Sequence, residues 1–103
     1  MNRFDQAFAA CRREGRAALM PYMTAGDPAI EWTERLIDAV IEAGADMVEL
    51  GMPYSDPLAD GPTVQAAGQR ALASGTTIDR VFEMVRRLRA RHSMVPLALL
   101  VYY

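Results

Sequence analysis

Three short apolar runs, residues 17–24 (AALMPYMT), 46–51 (DMVELG) and 95–103 (VPLALLVYY), are separated by stretches of helical spacing, and this alternation leaves few architectures open. Near-continuous apolar runs of this length suit parallel strands covered on both faces. Between the first two runs, Asp27 offers a helix cap and Pro28 a first helical position. Leu36, Ile37, Val40 and Ile41 then form one apolar stripe, and Gly44 offers a left-handed stop. Strand, helix and strand at this spacing make a βαβ unit, which crosses over right-handed. A leading helix is expected from Phe4, Ala7, Phe8 and Cys11, spaced along one face and followed by Gly15. After the second run, Val64, Ala67 and Ala71 mark a small helix over residues 62–74, ended by Gly75. Thr76 and Asp79 then form a capping pair for a long amphipathic helix with Ile78, Val81, Phe82, Val85 and Leu88 on its stripe.

The spacing is uneven. The first two strands begin about 28 residues apart, an ordinary βα repeat, whereas the second and third are separated by about 50. The surplus lies on the C-terminal side of the second strand, which in α/β barrels is the face that carries catalytic groups. It opens with ELGMPYSDPLADGPT, residues 49–63, holding the carboxylates Glu49, Asp56 and Asp60 and the prolines Pro53, Pro57 and Pro62. Proline removes a backbone donor and drives its predecessor out of the helical region, so this segment is a shaped loop, placed at 52–61. An acid-rich, proline-stiffened loop is the first place to look for chemistry. Read singly, Glu49 suits a solvated strand end, Asp56 a turn before Pro57, and Asp60 a helix cap beside Gly61.

With 103 residues, the chain holds one domain at most. Three strands cannot close a barrel of about 250 residues, and a sheet ending at Tyr103 presents an open apolar edge, so the expectation is the N-terminal part, residues 1–103, of a larger single domain. A net charge of −2 and a helix carrying Arg80, Arg86, Arg87, Arg89 and Arg91 favour a solvated, acid-balanced helix face over a nucleic-acid footprint. Cys11 is the single cysteine. It reads as a small buried hydrophobe, leaves no internal disulfide and suits a reducing, cytoplasmic setting. The N-terminus lacks a signal-like apolar region, and no run approaches the roughly 20 residues of a membrane span. Trp32 reads as packing, and His92 as a solvated helix cap.

PYMTAGDP, EAGADMVELGMPYSDPLADGPTVQAA and LALLVYY, in this order and spacing, resemble the N-terminal part of the tryptophan synthase alpha chain family, and the likeness spans essentially the whole chain. The resemblance implies a (β/α)8 TIM barrel of which the first three strands and their helices are present. It also implies a lyase that splits indole-3-glycerol phosphate by a retro-aldol reaction into indole and glyceraldehyde 3-phosphate. The family's acid/base pair falls on Glu49 and Asp60. Tyr22, Leu100 and Tyr102 would line the indole pocket, although as strand residues they suit a core equally. Pro53 and Asp56 would face a tryptophan synthase beta chain in an alpha2beta2 tetramer. That partner would carry the pyridoxal phosphate, with no cofactor and no metal in this chain. The family's phosphate-binding turns and closing loop match nothing in these residues.

Two carboxylates suit this reaction. Cleavage at indole C3 requires that carbon to accept a proton, giving a cationic indolenine. Glu49 is expected to donate it and later to take the glycerol hydroxyl proton, and such a group must hold its proton in apolar surroundings. Asp60, ionised on a more polar loop, would accept the indole N–H and stabilise the cation. Two alternatives stand beside this: a stand-alone indole-3-glycerol-phosphate lyase, and a non-catalytic binding fragment.

Overall fold

The computed structural model describes residues 1–55 and 60–102. Its elements, in order, are α1 (Arg3–Arg13), β1 (Tyr22–Thr24), α2 (Ile30–Glu42), β2 (Val48–Gly51), α3 (Pro62–Ala73), α4 (Ile78–Arg91) and β3 (Leu97–Leu100). The strands form one parallel sheet in the order β1-β2-β3, so each new strand is added beside the last. In register, Tyr22 lies opposite Glu49 and Glu49 opposite Ala98; Thr24 lies opposite Gly51 and Gly51 opposite Leu100.

Side chains alternate along a strand, so this register sorts the sheet into two faces. Val48 and Leu50 point to the helices and are fully buried with Ala25, Ile37, Val81, Met84 and Leu88; Met23 and Leu97 pack against the same cluster. Burying such side chains contributes about 1.5–3 kcal/mol each, which makes this face the source of the fold's stability. Tyr22, Thr24, Glu49, Gly51, Ala98 and Leu100 share the opposite face. Among the described residues this face is only partly covered: Thr24 is buried, but Tyr22 is 37% exposed and Leu100 47%, which corrects the expectation of strands buried on both faces. The strands are also shorter than the apolar runs. Pro21 has no N–H to donate and Pro96 precedes β3, although their carbonyls accept from Glu49 N and Val48 N at 2.9 and 3.0 Å.

Both expected caps move. The N-cap of α2 is Ala29, without a side-chain cap bond, because the Asp27 carboxylate is held by Arg70 at 2.8 and 2.9 Å. Pro28, joined to Asp27 by a cis peptide bond, precedes the helix. Thr33 Oγ1 instead accepts from Gly26 N at 3.0 Å and donates to Ala29 O at 3.4 Å. Thr76 does not start α4. Its N–H reaches back to Ala71 O, closing α3 through left-handed Gly75, and Thr77 caps α4 by accepting from Arg80 N. Buried Thr76 packs so closely on Gly26, φ +93°, that a Cβ there would overlap its side chain.

Polar clamps join the elements. Asp46, just before β2, accepts from Leu19 N at 2.8 Å and takes both arms of Arg16 at 2.8 and 2.9 Å. The arginine fork, then the Leu19 amide, hold its carboxyl well below the usual range. Glu34 and Asp38 of α2 meet Arg87 and Arg91 of α4, so the arginine-rich face is matched by a neighbouring helix. His92 is the C-cap of α4, as expected, but is not solvated: its side chain is 16% exposed, with Nε2 2.6 Å from Asp38 Oδ1. Arg89 also leaves the solvated face, donating to the carbonyls of His92, Ser93 and Val95. Cys11 is buried as expected. Trp32 is 54% exposed, with the Arg35 guanidinium 5.4 Å from its ring centroid, and so is no core residue.

Candidate active site

Glu49 is the one charged side chain in the four residues of β2. Its neighbours Val48 and Leu50 must enter the helix-side core, so the period of two turns Glu49 to the opposite face, where it is half-buried. The same register brings Tyr22 beside it. Tyr22 Oη lies 3.2 Å from Thr24 Oγ1, and its ring crosses directly over Gly51. A Cβ on Gly51 would overlap that hydroxyl and stand 2.8 Å from Cζ, so only glycine leaves the ring this position.

Beyond Gly51 the chain turns over the strand ends. Met52 N donates to Leu100 O at 2.9 Å, which extends the β2–β3 pairing, and the Tyr54 ring stacks on Tyr102 with centroids 4.8 Å apart. Asp60 directly precedes α3, which starts with Gly61 as N-cap and Pro62 in the first turn. Gly61 supplies no side-chain cap bond, so the Asp60 carboxylate is not spent on capping this helix. Asp60 lines a small concavity together with Tyr22, Thr24, Pro53 and Tyr54. Tyr22 is thus the common neighbour of both carboxylates: opposite Glu49 in the sheet, and on one wall with Asp60. Among the described residues neither carboxylate forms an ion pair or a side-chain hydrogen bond. One half-buried and one wall-lining carboxylate beside aromatic rings can exchange a proton with, and hold positive charge on, a flat apolar substrate.

Of the residues expected at the site, Glu49, Asp60, Tyr22 and Pro53 gather around these strand ends, and Leu100 shares the Glu49 face. Tyr102 joins them through Tyr54. Asp56 lies outside the described residues. Thr24, Gly51 and Tyr54 line the site as well, and Gln65 Nε2 donates to Asp60 O at 2.7 Å. A period of two from Tyr22 and Glu49 reaches Thr24 and Gly51, whereas no local pattern marks Gln65. A larger hollow of about 290 Å³ lies beside Tyr22 and Thr24, between α2 and α3, lined in part by the Asp27–Arg70 pair. No cluster of three or more His, Cys, Asp or Glu residues able to hold a metal ion occurs among the described residues.

Residues 8–103 match the family model described as tryptophan synthase alpha chain. A tryptophan synthase alpha chain from Alkalilimnicola ehrlichii is 55% identical over 99% of this chain and 37% of its own length. The crystal structure of tryptophan synthase subunit alpha from Legionella pneumophila superposes with a TM-score of 0.94 at 42% identity, covering 99% of this chain and 39% of that one. A chain in the crystal structure of the tryptophan synthase complex from Pyrococcus furiosus gives 0.78 at 44% identity, over 84% of this chain and 35% of that one. The chain therefore spans about two fifths of the length of the relatives it matches, and its strands and helices form the first part of a TIM barrel.

Proposed function

The chain belongs to the tryptophan synthase alpha chain family, and from that premise we propose that the complete protein cleaves indole-3-glycerol phosphate to indole and glyceraldehyde 3-phosphate, with Glu49 and Asp60 as its working pair. The observation that carries this reading is their placement. Both are unpaired among the described residues, and both adjoin Tyr22 at the C-terminal ends of parallel strands.

Glu49, in its acid form, gives its proton to indole C3, and the ring becomes an indolenine whose positive charge is shared by its nitrogen. The Asp60 carboxylate accepts that N–H and stabilises the cation. Glu49, now a carboxylate, removes the proton from the hydroxyl on the adjacent side-chain carbon. The C–C bond breaks, its electron pair restores the neutral indole, and the former carbinol carbon becomes the aldehyde. Glu49 ends protonated, so protons and electrons balance without a metal or redox partner. Tyr22, Leu100 and Tyr102 are assigned to the walls that hold the indole.

Pro53 and Asp56 are assigned to the contact with a beta chain, which carries the pyridoxal phosphate and receives the indole in an alpha2beta2 assembly. The single cysteine suits a cytoplasmic setting, and no helix among the described residues is long and apolar enough to cross a membrane.

The test is Glu49→Gln in the full-length protein. Turnover should fall by about 10²- to 10⁴-fold while substrate still binds; near-normal turnover would refute the acid assignment. Co-purification with a beta chain and faster cleavage in its presence are the expected signs of the complex, and their absence would point to a stand-alone lyase.

A further inference from the structure

We propose that Gln65 is a positioning residue for Asp60, setting the direction of its carboxylate by locking the two peptide groups that follow it. The proposal rests on the assignment of Asp60 above. Gln65 Nε2 donates to Asp60 O at 2.7 Å, and the backbone N–H of the same residue donates to Gly61 O at 3.0 Å. One helical residue therefore holds two consecutive carbonyls. The first bond orients the peptide plane between Asp60 and Gly61. The second is the opening bond of α3 and orients the plane between Gly61 and Pro62.

The need for such a lock follows from what surrounds it. Gly61 has no side chain, and among the described residues, its chain neighbours aside, nothing lies within 4 Å of where its Cβ would be. Glycine is also the residue with the most conformational freedom to lose. Pro62 has a fixed φ but no N–H, so it cannot tie the turn by donating. Gly61 contributes no side-chain cap bond to α3 either. The Gln65 amide makes up for these three absences. It reaches back five residues from a half-buried position on a regular helix, a rigid mount for a group that must aim another.

The bond goes to the backbone of Asp60 and leaves its carboxylate able to accept from substrate. A group that hydrogen-bonded the carboxylate itself would compete with the indole N–H. Holding the main chain instead fixes the rotation that carries Cβ, and with it the side of the concavity shared with Tyr22 from which the oxygens approach. A misplacement of about 1 Å at such a group costs up to about 10²-fold in rate.

The experiment is a double-mutant cycle in the full-length protein, with Gln65→Met, Asp60→Asn and the pair, read as kcat and KM for indole-3-glycerol phosphate. Met keeps the length of Gln65 but cannot donate. If Gln65 acts through Asp60, Gln65→Met lowers kcat about tenfold with little change in KM, and the same change has no further effect on the Asp60→Asn background. Equal losses on both backgrounds, or normal kcat in Gln65→Met, would overturn the inference. Asp60→Asn with unchanged kcat would instead refute the role of Asp60, a failure of the earlier reading. Should Gln65→Met not fold, Gln65→Glu, which also lacks the donor at neutral pH, carries the same comparison. Loss of fold in both variants would assign Gln65 to structure alone and reject the proposal.

Discussion

At the scale of single residues, the site depends on contacts too close to tolerate change. Gly51 is the clearest case, because its missing side chain is the space that the Tyr22 ring occupies. Gly51→Ala forces that ring away from Thr24 and towards the substrate space. In the full-length protein KM should rise about tenfold, as expected for a wall displaced towards the substrate, with an overpacking cost of about 1–3 kcal/mol. Steady-state kinetics and urea denaturation check both. An unchanged KM would show that the ring can move aside without entering the pocket. Read singly, Glu49 suits a strand end and Asp60 a helix cap; the family resemblance singles them out as a pair, because its motif extends over many positions whereas a lone carboxylate has many ordinary uses. The hydrogen bond from Gln65 was not legible in the sequence. A helical glutamine in an apolar stretch looks the same whether it faces solvent or reaches back to a loop, and only the path of the chain decides.

At the scale of elements, the sequence showed the order of strands and helices through its periodicity, while pairings between distant residues stayed hidden. Thr76 and Thr77 are adjacent and chemically alike, so local pattern cannot say which one closes α3 and which opens α4. Asp27 looked like a cap because its partner Arg70 lies on another helix. All eleven basic residues are arginine, and several use the planar fork to hold two acceptors at once. Arg89 illustrates the consequence. It ties three carbonyls at the turn between α4 and β3, so Arg89→Ala should cost about 1–3 kcal/mol by leaving partly buried acceptors unpaired. Chemical denaturation of the full-length variant checks this. A loss under about 0.5 kcal/mol would mean that water replaces the guanidinium at that turn.

Asp46 gives the matching pH prediction. Its folded-state pKa lies well below the unfolded carboxylate value of about 3.9, so its contribution is complete above about pH 4 and is lost as pH falls towards the folded value. Asp46→Asn cannot take the Arg16 fork in charged form. In the full-length protein its Tm at neutral pH should fall by about 3–12 °C, the equivalent of one hydrogen bond to a charged group. Stability should also decline less steeply between pH 4 and pH 2 than in the unaltered protein. Identical acid limbs for the two proteins would place the acid sensitivity elsewhere, with Glu34 next in line because the Arg87 fork depresses its pKa too.

At the scale of the whole molecule, the sheet explains both how the site is displayed and what the 103 residues lack when alone. Its helix side is filled around β2, but at β3 Leu99 on that side and Leu100 on the other are more than a third exposed, as are Leu19, Met20 and Val101 beside the strands. Among the described residues β1 and β3 each pair on one side only, with β2. Unpaired strand edges next to exposed apolar side chains are templates for association. The Glu49 face has the same openness: the register sets its direction, yet no second layer of the described residues encloses it. An isolated 103-residue polypeptide should therefore self-associate or unfold without a sharp transition. Sedimentation velocity across a range of concentrations and thermal unfolding followed by circular dichroism test this directly. Concentration-dependent sedimentation, reversed when the remaining barrel segments are supplied, would trace the instability to the open edges. A monomer with one cooperative transition would mean instead that the core of Ile37, Val48, Leu50, Val81, Met84 and Leu88 suffices to hold the sheet.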